Sequence, residues 1–140
     1  MKIKFLLITA LLTLSKSVSA QSHNLVGEWS TNAVIGYENL NEYKLYKQDS
    51  EFYVYGNRLK LNDDLTYESY YTAPCGNDCF PSTYGKYKIT ENEELHFQVD
   101  SLVVRGFCKN LKKTFKDNVL NFQIMKQDLN GKNELVLVKK

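Results

Sequence analysis

From Leu25 onward most of the apolar periodicity has period two, and no other feature of the sequence restricts its fold so strongly. A period of two is that of a strand with one buried face; a helical surface repeats every three to four residues. In Arg58-Leu59-Lys60-Leu61 the leucines share one face and the cations the other, and in Gly85-Lys86-Tyr87-Lys88-Ile89 the pattern puts Tyr87 and Ile89 inward. The same reading predicts strands at Leu25–Thr31, Tyr43–Lys47, Phe52–Tyr55, Leu65–Tyr71, Leu102–Phe107, Val119–Lys126 and Glu134–Val138, with a further one carrying Leu95, Phe97 and Val99 inward and His96 and Gln98 outward. Leu65, Tyr67 and Tyr71 share a face, as do Leu120, Phe122 and Ile124.

Turn chemistry separates these segments. Gly56-Asn57 and Asn130-Gly131 pair residues that tolerate the positive φ of a tight hairpin. Asn62-Asp63-Asp64 and Glu91-Asn92 make further turns, Thr72 to Thr83 is a long irregular loop, and residues 108–117 are a basic, polar loop or a single helical turn. No amphipathic helix longer than two turns is expected. The fold class is all-β: an antiparallel meander of about eight to ten strands in one domain, closed into a barrel or folded as a sandwich. Closure removes the exposed edges that invite aggregation.

The N-terminus stands outside that pattern. Lys2 and Lys4 precede the apolar run Phe5–Leu14, and Val18-Ser19-Ala20 supplies small residues, so residues 1–20 read as a secretory signal peptide cleaved before Gln21. The run falls short of the roughly 20 apolar residues of a membrane span. The domain is then 21–140. Without Lys2, Lys4 and Lys16 the balance of 18 basic and 16 acidic residues becomes 15 against 16, a net charge of −1. That leaves no basic excess for a nucleic-acid-binding face. A local cluster, Lys109, Lys112, Lys113 and Lys116 around Leu111 and Phe115, is either a solvated loop or a surface that steers an anion.

Leu25-Val26-Gly27-Glu28-Trp29 holds the only tryptophan, in a Gly-x-Trp spacing that resembles the opening strand of lipocalins. Leu59-Lys60-Leu61-Asn62-Asp63-Asp64-Leu65-Thr66-Tyr67, Gly85–Ile89 followed by Glu94-Leu95-His96-Phe97, and the closing Leu135-Val136-Leu137-Val138-Lys139-Lys140 are similar to hairpins and the last strand of secreted bacterial lipocalin-like domains. The resemblance implies a barrel in which Gly27 lets the backbone kink and Trp29 plugs the closed end. Lipocalins also pack a late basic residue on the tryptophan, a place only Lys139 or Lys140 fits by position. An ordinary core tryptophan of a β-sandwich would be buried in the same way.

If the barrel holds a cavity, Tyr67, Tyr71, Tyr87, Phe97 and Phe122 line it, and tyrosine hydroxyls supply the few polar contacts such pockets use. If it is solid, the same rings are core. The expected function is binding of a small, partly apolar ligand without catalysis. The alternative is a protein-interaction or cell-envelope module whose contacts come from the 72–83 loop. No cofactor is expected. Cys75, Cys79 and Cys108 leave one thiol over whichever two pair. The preferred bridge is Cys75–Cys79, across the turn formers Gly76-Asn77-Asp78, followed by Cys79–Cys108 and then Cys75–Cys108. The C-x₃-C spacing is not that of a redox motif, and zinc would have only His23 and His96 to add. Asp63-Asp64 and Glu93-Glu94 are read as solvated turn residues.

Overall fold

The computed structural model describes residues 25–47, 54–129 and 132–140. The expected signal segment, His23, Phe52-Tyr53 and the Asn130-Gly131 turn lie outside these residues. Nine strands follow in chain order: β1 (Gly27–Thr31), β2 (Glu42–Tyr46), β3 (Gly56–Leu61), β4 (Thr66–Thr72), β5 (Cys79–Ile89), β6 (Glu94–Gly106), β7 (Leu111–Thr114), β8 (Val119–Leu129) and β9 (Lys132–Lys139). Every strand pair is antiparallel.

Eight of them close into a ring, β1-β2-β9-β8-β6-β5-β4-β3, with β3 returning to β1; β7 is an extra strand on the far half of β6. Of the barrel and the sandwich that the alternation allows, the closed all-β barrel is therefore the fold. From β3 onward the strands follow as a meander. The first two depart from it, since β3 pairs with β1 and leaves β2 between β1 and β9.

Strand β6 shows how the pattern works. Leu95, Phe97 and Val99 face inward, and so do Leu102 and Val104, one residue out of phase. The sequence suggested two strands; the chain instead makes one and absorbs the slip as a bulge. Tyr84 pairs with Ser101 and Gly85 with Val99, which leaves Asp100 unpaired between them. Glycine permits the approach, because a Cβ at residue 85 would lie 1.9 Å from the Gln98 carbonyl oxygen.

Five other expectations are corrected. Gly56-Asn57 is no hairpin: both residues belong to β3, with Asn57 paired to Thr31 on one side and Tyr71 on the other. Two flanking strands extend the ladder through a dipeptide that suits a turn in isolation. Leu65 is 53% exposed at φ +64°, as part of the turn in which its N–H bonds the Asn62 carbonyl, so the inner face of β4 begins at Tyr67. Ile89, at the end of β5, is exposed too. The irregular loop ends at Cys79, where β5 begins, and the segment read as a loop at 108–117 contains β7. Pro81 falls where β5 has only β6 beside it, the edge setting that tolerates proline.

The inner faces of all eight ring strands or their adjoining residues meet in one apolar cluster. Trp29, Tyr43, Leu45, Leu59, Leu61, Tyr67, Tyr87, Leu95, Phe97, Phe122, Ile124 and Leu137 are all buried in it.

Candidate functional site

At the end of the barrel where β1 starts, Trp29 is buried. Its ring is 7% exposed, and its Nε1–H donates to the Leu25 carbonyl at 2.8 Å. Lys47, just past β2, lays its Nζ 4.0 Å from the centre of that ring and donates to the Glu28 carbonyl at 2.9 Å. The cation on the tryptophan is thus Lys47, neither Lys139 nor Lys140. Lys139 donates to Asn39 Oδ1 at 2.6 Å, and Lys140 is bound to Glu94. Gly27, at φ +120°, leaves room for the lysine: a Cβ there would stand 3.1 Å from Lys47 Nζ. Tyr87 belongs to this end, its hydroxyl donating to the Asn62 carbonyl at 2.7 Å.

Across the interior runs a relay of edge-to-face rings. Tyr43 meets Phe122 at 5.5 Å between centroids, Phe122 meets Phe97 at 6.1 Å, and Phe97 meets Tyr67 at 4.8 Å. Three of the five expected lining residues, Tyr67, Phe97 and Phe122, are therefore contiguous. Tyr87 is turned to the end where Trp29 lies. Tyr71 is half-buried in the cysteine loop, its ring stacked on Phe80 and its hydroxyl donating to Asp78 Oδ2 at 2.9 Å. The Tyr67 hydroxyl is buried with no hydrogen-bond partner; burial pushes its pKa far above the ordinary phenol range. The Thr83 hydroxyl lies nearby but outside hydrogen-bonding geometry.

Thr83 is engaged elsewhere. It donates to the Ile35 carbonyl at 2.5 Å, while the Ile35 N–H donates to Ser69 Oγ at 2.9 Å. Ser69 and Thr83 are cross-strand partners on β4 and β5, both fully buried. Together they clamp the peptide groups of the β1–β2 loop, whose Ala33, Val34 and Ile35 are buried. The loop thus fills much of the barrel's other end. Tyr43 ties its far side by donating to the Glu38 carbonyl. Neither this plug nor its clamp was predicted, although Ala33-Val34-Ile35 is an apolar run in a connection, the kind of signal that marks a buried loop.

Beside the plug a cleft of about 190 Å³ remains open. Tyr43, Leu120 and Phe122 lie at its base, and Tyr37, Glu38, Asn39, Asn118 and Lys139 surround it. At the same end the disulfide joins Cys79 to Cys108, with the Cα atoms 5.3 Å apart. This corrects the preferred Cys75–Cys79 pairing: Cys75 is exposed and free. Asp78 organises the turn by accepting from the Tyr71 hydroxyl and the Cys79 N–H, while its carbonyl accepts the Phe107 N–H at 3.0 Å. The bridge carries the strand end of β5 across to the segment following β6, a link between elements that spacing within one loop does not reveal.

His96 lies on the outer wall, with Nε2 3.0 Å from Glu94 Oε2. The Glu94 carboxyl is held below the usual carboxylate range by the Lys140 ammonium first and by His96 second. Among the described residues no three His, Cys, Asp or Glu side chains converge as metal ligands would.

No family model, curated protein or solved structure matches this chain. The class that its own geometry defines is a small, closed, eight-stranded antiparallel barrel with one appended strand and a disulfide at the plugged end.

Proposed function

We propose that this chain is a secreted, lipocalin-like binding protein that takes a small, partly apolar molecule at the plugged end of its barrel and performs no chemistry on it. The observation that carries this reading is the cleft above Tyr43 and Phe122, where an apolar base meets a polar rim. Its volume of about 190 Å³ falls below the roughly 300–1,000 Å³ of pockets for drug-sized ligands. The ligand is accordingly small, or enters further as the Ala33–Glu38 plug withdraws. The Gly-x-Trp strand with its lysine seal supports the lipocalin-like reading, and the disulfide supports an oxidising compartment, secreted or periplasmic.

The test is native mass spectrometry of the protein purified from its source, beside a Leu120→Trp variant that fills the cleft. A bound mass retained by the parent and lost from the variant is expected. Absence of any bound mass, together with unchanged NMR signals of Tyr43 and Phe122 in a panel of short-chain fatty acids and alcohols, would overturn the reading. A second reading, a protein-interaction module contacting partners through the 72–83 loop, is favoured by one feature: the disulfide and Asp78 hold that loop in a fixed shape with Phe107 beside it, 80% exposed.

A further inference from the structure

Strand β7 lies outside the closed ring. One of its edges pairs with β6, from Ser101 opposite Thr114 to Val104 opposite Leu111. The Phe115 N–H donates to the Asp100 carbonyl at 2.9 Å, so that position is a hydrogen-bonded one. Because such positions alternate along an antiparallel ladder, Lys113 and Leu111 direct their backbone groups to β6, and Lys112 and Thr114 direct theirs the other way. No described strand meets that second edge.

An open edge is a template for a further strand, and proteins commonly blunt it with lysine. Here the charge is more than a deterrent. Residues 105–117 hold Arg105, Lys109, Lys112, Lys113 and Lys116 against the single acid Asp117, in a chain that is otherwise balanced. The segment is also held in place, by the Cys79–Cys108 bridge and by the Phe107 N–H on the Asp78 carbonyl. Phe107 and Leu111 stand exposed beside it, next to a groove of about 620 Å³ lined in part by Val103, Arg105 and Lys112.

From this we infer that the open edge of β7 accepts an extended, acidic polypeptide segment of a partner protein as an added strand. Main-chain hydrogen bonds to Lys112 and Thr114 align the segment, and carboxylates opposite Lys112 and Lys113 select it. A second copy of the chain is the wrong occupant, since two β7 edges placed together oppose lysine to lysine. A lipid surface fits less well. Lys112 shares the face of its partner Val103, and Lys113 shares that of Leu102 and lies 5.0 Å over the Phe115 ring. The cations thus surround an edge rather than cover one flat face. This inference goes beyond the barrel's ligand, and either can fail without the other.

The experiment measures binding of fluorescent ten-residue peptides to the full chain with its disulfide intact: alternating Glu-Val, alternating Lys-Val, and the Glu-Val peptide N-methylated at alternate residues. The acidic peptide alone should bind, with slowed amide exchange at Lys112 and Thr114. Its affinity should fall about tenfold in the Lys112→Glu/Lys113→Glu variant. The proposal is overturned if the acidic peptide does not bind, if the N-methylated peptide binds equally well, or if the protein binds vesicles rich in phosphatidylserine while ignoring the peptides.

Discussion

At the scale of single residues, Lys47 takes a role that the sequence did not assign to it. It combines a cation over an indole face with a hydrogen bond to the Glu28 carbonyl, and Lys47→Ala is expected to cost about 1 kcal/mol in urea denaturation. The exposed Lys139→Ala should stay within about 0.5 kcal/mol of the parent. Trp29 itself was legible because a lone tryptophan in Gly-x-Trp is a local pattern. Its lysine was not, because the residue arrives from another strand and carries no mark in sequence. Carboxylates set the acid response. Thr66 donates its hydroxyl and its N–H to Asp64 Oδ1, and Lys140 and His96 hold Glu94, so both carboxyls lie below their ordinary range. A depressed folded value means stabilisation that is complete above the unfolded value and lost as pH falls through the folded one. Asp64→Asn and Glu94→Gln should therefore each flatten the fall of the urea midpoint between about pH 5 and pH 3.

At the scale of elements, the β1–β2 connection decides whether the barrel is open. Thr83→Val keeps the volume of the side chain and strips the Ile35 carbonyl of its donor inside the core, which should cost about 1–3 kcal/mol. Amide exchange should then quicken at Ile35 and Gly36 while β4 and β5 remain protected; unchanged exchange in the loop would mean that the clamp does not hold it. Alternation revealed most strands, since Leu59 and Leu61 or Phe97 and Val99 have only one face to bury. It failed where partners overrule local chemistry. Gly56-Asn57 reads as a turn until β1 and β4 flank it, and the phase slip between Val99 and Leu102 reads as a break until the bulge at Asp100 restores it. The four exposed residues of β7 offered no alternation to read at all. Ser69 and Thr83, the polar members of the candidate site, carry no signal of their role: Ser69 is a small polar residue within the β4 pattern, Thr83 reads as the end of the irregular 72–83 loop, and nothing local shows that a loop from elsewhere will meet them.

At the scale of the whole molecule, the Cys79–Cys108 bridge ties the long β5–β6 hairpin to the start of β7. With a sequence separation of 29 between the cysteines, Cys108→Ser should cost between about 3 and 4 kcal/mol in the chain-entropy picture. The oxidised parent should expose one thiol per chain to a thiol reagent, and Cys75→Ser should abolish that reaction. Reaction of a second thiol in the folded protein would contradict the pairing. The odd thiol was countable in the sequence; its identity depends on where two strand ends meet, which only the ring's geometry decides. That ring has a further consequence, for time. Its closing piece is β9, the last of the described strands, which fits between β2, the second of them, and β8. Until residues 132–139 emerge, β2 and β8 both present raw edges and the barrel stands open along its length. Closure therefore waits for residues 132–139, and a chain that lacks this one strand leaves unclosed what the first strands began.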